Sequence, residues 1–288
     1  MGLKKGLVKL MAVVVIGATV FSFAGCSSNN AGSSNNQSAT AVSGEINGGG
    51  STSVQKIMEA AGSEFSAQNS DVKFTYSGTG SSDGIKGAGA GTYAFGCASR
   101  DLTADEKKDL TELTFAYDGI ALITSPTNTV ENISKSDLTK IYTGEITNWS
   151  QVGGKDAPIV VVSREDGSGT RTAVEELLGF KDKLKSDATI KEGNGNVQST
   201  VAGNENAIGY VSLTFVDKTV KKVTVDGVQA TVDNVLNKTY PISRPFLALY
   251  KESTINSQTK AFLDFIMTDE GQAIVEKEGG IKVALEQK

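Results

Sequence analysis

Ile159-Val160-Val161-Val162-Ser163-Arg164-Glu165-Asp166-Gly167-Ser168-Gly169-Thr170 begins with four apolar residues in a row and ends in a loop of charged, hydroxyl and glycine residues. An unbroken β-branched run marks a strand covered on both faces, as in sheets flanked by helices. Directly after the loop, Thr172 to Leu178 sets Val174, Leu177 and Leu178 on one helical face. Strand, loop and helix in that order form the repeating unit of an α/β fold.

The same alternation extends outward in both directions. Ser53 to Asn69 places Val54, Ile57, Met58, Ala61 and Phe65 on one face of a helix, and Val72, Phe74 and Tyr76 alternate as a strand. Gly80 to Gly91 is rich in glycine, which weakens a helix there. Tyr93 to Ala98 reads as a buried strand holding Cys97 as a small core residue. Thr103 and Glu106 have capping-box spacing before a short polar helix. Phe115 to Thr124 and Ala207 to Leu213 are strands, with a helix around Asp137 to Tyr142. Val223 to Val232 reads as a hairpin turning on Asp226-Gly227. Ser257 to Glu278 reads as one amphipathic helix, Phe262, Phe265 and Ile266 inward, stopped by Gly279. No internal repeat is visible.

Two further loops share the chemistry of the first. Gly48-Gly49-Gly50-Ser51-Thr52-Ser53 precedes the Val54 helix, and Ser77-Gly78-Thr79-Gly80-Ser81-Ser82 follows the strand ending at Tyr76. A helix start leaves unpaired N–H groups and a partial positive charge, which suit an anion. Glycines let backbone come close, and hydroxyls donate where larger side chains do not fit. Taken singly, a Ser or Thr before a helix is ordinarily a plain cap, and a lone arginine is ordinarily a surface ion pair. Three such loops, with Arg164 four residues before Ser168-Gly169-Thr170 at a strand end, point to one oxyanion site gripped by a guanidinium.

Composition narrows the chemistry. The chain has no histidine, which removes Ser-His-Asp and Cys-His mechanisms and the commonest metal ligand. Gly80-Ser81-Ser82-Asp83-Gly84 fits a nucleophile-elbow pattern without a base to activate its serine. Two cysteines do not make a thiolate zinc site, and no Walker or dinucleotide glycine pattern follows a strand. No enzyme, no metal and no cofactor are therefore expected. The formal charge is −5 and falls to −8 without the three leader lysines. Such an acidic chain is a poor nucleic-acid partner, so an anion site has to be local, built from aimed N–H groups and one or two arginines.

The N-terminus reads as an address. Lys4, Lys5 and Lys9 precede an apolar run from Leu10 to Val20, then Phe21-Ser22-Phe23-Ala24-Gly25 and Cys26. This is a secretory signal over 1–25, too short to span a bilayer. Its end on Cys26 marks that cysteine for acylation, so the chain is expected on the extracytoplasmic face of the membrane, held by lipid alone. Residues 26–44, poor in bulky apolar side chains, are expected to be a flexible tether.

Together, GGGSTSV (48–54), SGTGSSDGI (77–85), FGCASRDL (95–102), IYTGEITNW (141–149), SREDGSGTRT (163–172) and YPISRPF (240–246), behind a lipoprotein signal, resemble the phosphate-binding lipoproteins of bacterial high-affinity phosphate ABC transporters. The resemblance spans nearly the whole chain from Glu45. It implies a two-lobed, type II periplasmic-binding-protein-like fold with the ligand in a cleft. The strands that join the lobes fall near Phe115 to Ala121 and Tyr240 to Leu247, giving lobe 1 as 45–117 plus 245–288 and lobe 2 as 118–244. It also implies phosphate contacts at Ser51, Thr52, Ser53, Ser81, Arg164, Ser168, Gly169 and Thr170. Further phosphate contacts are implied at Ser99 and Arg100; some members carry an aspartate just after that serine, where this chain has Arg100 and then Asp101. Asp101 and Asp166 are the candidate carboxylates, Asp166 as the partner that orients Arg164. A carboxylate acceptor would take the proton of hydrogen phosphate and reject sulfate. Implied partners are phosphate and the membrane permease subunits, with the protein itself a monomer. The alternatives are another oxyanion such as sulfate or molybdate, a secreted phosphatase, or a surface lipoprotein without a transport role.

Overall fold

A computed structural model of the chain describes residues 42–284. The signal over 1–25, Cys26 and nearly all of the 26–44 segment lie outside the described residues. Apolar alternation and caps give eleven strands: β1 (Gly44–Gly50), β2 (Val72–Gly78), β3 (Phe95–Ala98), β4 (Thr111–Thr124), β5 (Asn132–Ile133), β6 (Val160–Arg164), β7 (Thr189–Lys191), β8 (Ala207–Ser212), β9 (Lys221–Val225), β10 (Ser243–Tyr250) and β11 (Ile281–Lys282). The helices are α1 (Gln55–Gln68), α2 (Ser81–Ala90), α3 (Lys135–Thr143), α4 (Gly169–Leu178), α5 (Gly193–Ala202), α6 (Val232–Leu236), α7 (Ser257–Ile266) and α8 (Asp269–Lys277).

The strands hydrogen-bond in the order β2-β1-β3-β10-β4-β8-β6-β7. Parallel pairs lie towards each end (β1 with β2 and β3, β6 with β7 and β8), and antiparallel pairs lie in the middle. The centre is β4. Its fourteen residues span roughly 45 Å at about 3.3 Å per residue. Thr111 to Gly119 of β4 pairs with β10, and Ile120 to Thr124 pairs with β8.

That one strand runs between two hydrophobic cores, so the fold is two-lobed. One core gathers Ile46, Ile57, Phe95, Phe115, Phe246 and Ile266, with Phe262 at its centre, 4.7 Å from the ring of Phe74 and 5.6 Å from that of Phe95. The other gathers Ile120, Ile123, Tyr142, Trp149, Val162, Val211 and Tyr240. Ile159 and the Val161-Val162 pair are buried, as the unbroken apolar run requires.

Three local expectations are corrected. The single helix expected over Ser257 to Glu278 is two, because Thr268 caps a new helix by accepting the N–H of Gly271 at 3.1 Å. Asp269 and Glu270 then sit in the first turn of α8, where the helix dipole favours acids. The Asp226-Gly227 turn forms, with both residues at positive φ. The hairpin, however, ends after the single Val225–Val228 bridge, since the chain turns away into α6. Finally, Gly48 to Gly50 is strand rather than loop. A Cβ on Gly48 would lie 2.3 Å from the Phe95 ring and one on Gly49 2.3 Å from the Tyr93 ring, so these glycines make room for aromatic packing.

Candidate functional site

Four helix starts are brought together where the lobes meet. Ser51 follows the first strand and caps a single 3-10 turn, its Oγ accepting the Ser53 N–H at 3.2 Å before α1 begins. Ser81 opens α2 after Gly80, whose φ of 102° only glycine adopts freely. Ser168 caps α4, its Oγ accepting the Arg171 N–H at 3.3 Å, and Gly169 and Thr170 form the first turn. The start of α5 supplies Asn194.

The hydroxyls of these starts touch one another. Ser51 Oγ donates to Ser99 Oγ at 2.8 Å, Ser99 N–H donates to Ser81 Oγ at 3.0 Å, and the Ser53 and Thr170 hydroxyls lie 3.1 Å apart. Asn194 Nδ2 donates to Thr52 Oγ1 and Ser53 Oγ, each at 3.0 Å. Gly169 lies so close that a Cβ there would sit 2.2 Å from Ser81 Oγ and 2.9 Å from Ser99 Oγ. Ser51, Ser53, Ser81, Ser99, Ser168, Gly169 and Thr170 are all buried. Thr52, at the edge, lines a groove of about 970 Å³ together with Glu165, Gly193 and Asn194.

Two guanidiniums flank the hydroxyls, each held in a fork by a carboxylate. Arg164 donates from Nε and Nη2 to Glu165 at 2.7 and 2.6 Å, leaving Nη1 for Thr170 at 3.3 Å and Nη2 also for Thr52 at 3.2 Å. Arg244 donates from Nε and Nη2 to Asp118 Oδ2 at 3.0 and 2.8 Å, then to Ser99 Oγ at 3.1 Å and Ser53 Oγ at 2.9 Å. Partial burial raises the Glu165 carboxyl, but hydrogen bonds and charge from Arg164 outweigh it and hold the group below its ordinary range. Complete burial pushes Asp118 up against the pull of Arg244, and burial likewise lowers Arg244. A fully buried ion pair gains little net stability, so its value here is in positioning.

Three sequence expectations are corrected by this geometry. Asp166 does not orient Arg164. It pairs with Arg171 at 2.7 Å and is 97% exposed, while Glu165, the residue before it, holds Arg164. Arg100 turns away from the cluster, because Glu106 takes its guanidinium at 2.8 and 2.9 Å. Asp101 is exposed and lines a separate groove on the hinge side with Tyr117 and Leu236. The expected Thr103–Glu106 capping box is present and supports this pair.

Hydrogen bonds from Arg100 pull the Glu106 carboxyl down to about 2. A depressed acid adds stability that is present above its unfolded pKa and is lost as pH falls through the folded one. Glu106→Gln is therefore expected to be less stable than wild type near neutrality. The gap should close as pH falls from about 4.5 to about 2, read as unfolding midpoints at each pH. A gap independent of pH would remove Glu106 from the acid response.

Sequence reasoning missed Arg244, Asp118, Glu165 and Asn194. Two of them carried a signal: Arg244 is the lone charge of β10, and Asp118 interrupts the apolar Phe115 to Thr124 run of β4. A buried charge of either sign calls for the other. Asn194 carried none.

The fold and cluster define a class: a two-lobed α/β binding protein whose inter-lobe site is built for a small anion. A family model described as the PBP superfamily domain matches residues 35–270. The phosphate-binding protein PstS of Borreliella burgdorferi is 33% identical, over 81% of this chain and 89% of that protein. PstS of Bacillus subtilis is 30% identical, over 96% and 94%. A Clostridium perfringens structure described as a phosphate ABC transporter substrate-binding protein, with bound phosphate, superposes at a TM-score of 0.82. It is 52% identical over 84% of this chain and all (100%) of that one. An ABC-type phosphate transport receptor of Vibrio cholerae superposes at 0.72, with 34% identity over 83% and 100%. The chain belongs to the PBP superfamily and, within it, to the family of phosphate ABC transporter substrate-binding proteins.

Proposed function

We propose that the protein captures inorganic phosphate outside the cytoplasm and hands it to the permease of an ABC importer. One observation carries this reading: the starts of four helices and two arginines meet in a single buried cluster of hydroxyl and N–H donors. Donors without a matching set of free acceptors suit a dehydrated tetrahedral anion. Each charge-assisted hydrogen bond contributes roughly 1.5–3 kcal/mol, so several together offset phosphate desolvation and leave micromolar affinity or better, about −8 kcal/mol.

Ser51, Thr52, Ser53, Ser81, Ser99, Arg164, Ser168, Gly169 and Thr170 are the proposed ligand residues. Lobe 1 (45–117 plus 245–288) and lobe 2 (118–244) hinge on β4 and on the segment from Tyr240 into β10, which both run from one core to the other. Ile281 is the exception, packing on the second core from the C-terminal segment. Closure joins the lobes through contacts such as Ser82 N–H to the Gly167 carbonyl at 3.1 Å and Thr214 Oγ1 to the Ser53 carbonyl at 3.0 Å. The permease reads that closed surface, a population shift driven by ligand. The protein acts as a monomer, anchored by acylated Cys26, and performs no catalysis.

Equilibrium dialysis of the mature chain against labelled phosphate tests this. Saturable binding of one phosphate per chain at micromolar concentration or below is the expected result. Binding of sulfate or molybdate in place of phosphate would reassign the ligand, and retention of no anion would overturn the reading.

A further inference from the structure

We propose that Lys56 is a clasp between the lobes, a positioning residue that touches no ligand and sets the residence time of bound phosphate by holding the closed form together. The inference rests on the phosphate reading above and adds to it a determinant outside the anion cluster.

Lys56 is the second residue of α1, whose buried Ile57 and Met58 belong to the first core. Its ammonium reaches across the seam and makes two contacts there. It donates to the Thr214 carbonyl at 3.1 Å, and it lies 4.2 Å from the centroid of the Phe215 ring. Phe215 packs against the second core, so the two ends of the contact belong to different hydrophobic bodies. Lys56 and Phe215 both line the groove of about 970 Å³ that Thr52 also lines. Nothing in α1 itself asks for a lysine at this position. A cation in the first turn opposes the helix dipole, and that turn has no acidic residue to offset it. Asp217, an acid that feels the Lys56 charge, gives its carboxylate to the N–H and hydroxyl of Thr219. A neutral carbonyl and a ring face hold the ammonium, and both belong to the opposite lobe.

A local cost offset only by contacts across a seam marks a residue that serves the joined state. Separation of the lobes breaks both contacts, returns the ammonium to water and leaves the two cores intact. The clasp therefore weighs on the open–closed equilibrium alone, and apparent affinity follows the fraction of the closed form. A cation over a ring at a partly wet seam, with a charged donor on a carbonyl, amounts to about tenfold in affinity. Phosphate meets the open protein before the clasp forms, so the effect falls on release rather than on capture.

Calorimetry and stopped-flow release of inorganic phosphate from the mature wild type, Lys56→Met, Lys56→Arg, Phe215→Leu and the Lys56→Met/Phe215→Leu pair test this. Lys56→Met keeps the stem and loses the charge. It should bind about tenfold more weakly through faster release, with the unfolding midpoint of the ligand-free protein unchanged. Lys56→Arg, which can stack on the ring and donate to the carbonyl, should recover most of the loss. Phe215→Leu should also speed release although it leaves the Lys56 charge in place. The double variant should lose less than the two single losses combined, because both substitutions break one contact. A lysine that only draws the anion in would give a different pattern: slower, salt-dependent association in Lys56→Met and wild-type binding in Phe215→Leu. That pattern, fully additive losses, or a lowered midpoint in Lys56→Met with release unchanged would each overturn the clasp. No phosphate binding by the wild type would instead sink the phosphate reading, and the clasp with it. Should Phe215→Leu fail to fold, the release rates of Lys56→Met and Lys56→Arg, both at an exposed position, decide.

Discussion

Arg164→Ala should weaken phosphate binding by about a hundredfold or more, close to 3 kcal/mol, with little loss of fold stability. The first part of that loss is the charge-assisted hydrogen bonds a guanidinium gives to an oxyanion. The second comes from Glu165, which Arg164 now neutralises through two hydrogen bonds of 2.7 and 2.6 Å. Without its partner, that carboxylate faces the incoming anion unopposed. The fold should survive because the Glu165 side chain is 21% exposed and can be rehydrated from the adjoining groove. Arg164→Lys should fall between, since an ammonium keeps the charge and loses the planar fork. Calorimetry gives the affinities and thermal unfolding the stability. Unchanged affinity in Arg164→Ala would remove Arg164 from the site.

Gly169→Ala adds one methyl group and should have a comparable effect by a different route. The new carbon would lie 2.2 Å from Ser81 Oγ and 2.8 Å from Ser81 Cβ, so the α2 and α4 starts have to separate. Gly169 lies within the regular helix, so alanine costs nothing in backbone strain and gains helix propensity. The clash exists only when the two lobes meet. Phosphate affinity should therefore fall by about a hundredfold while the unfolding midpoint of the ligand-free protein stays level or rises. Wild-type affinity in this variant would mean that the two loops do not meet in the bound state.

Much of the fold was legible because it rests on local rules. The Ile159 to Val162 run, the Val54 to Phe65 helical face and the alternating Val72, Phe74 and Tyr76 all settle into their expected elements. Glycine-rich α2 also forms, against its propensity, since Gly84 and Gly96 let the helix lie directly on β3. The misreadings have equally local causes. Thr268-Asp269-Glu270 is a helix start hidden inside a periodic apolar pattern, and periodicity alone does not register a break when both helices keep the same inner face. At the site, hydroxyl-rich loops announced themselves, whereas the partners of Arg164 depended on side-chain direction. Glu165 and Asp166 are neighbours in sequence, and only the turn geometry sends one to Arg164 and the other to Arg171. Arg244 and Asp118 lie 126 positions apart and meet because β10 and β4 pair, with Cα register Arg244 to Asp118. Sequence alone marks each as a charge out of place and leaves the register unread.

A crystal structure of the mature protein grown with phosphate bears most directly on the inter-lobe site. A single tetrahedral anion should lie among Ser53, Ser81, Ser99, Arg164 and Thr170. Phosphate held elsewhere, with the hydroxyls of these loops still bonded only to one another, would contradict the site.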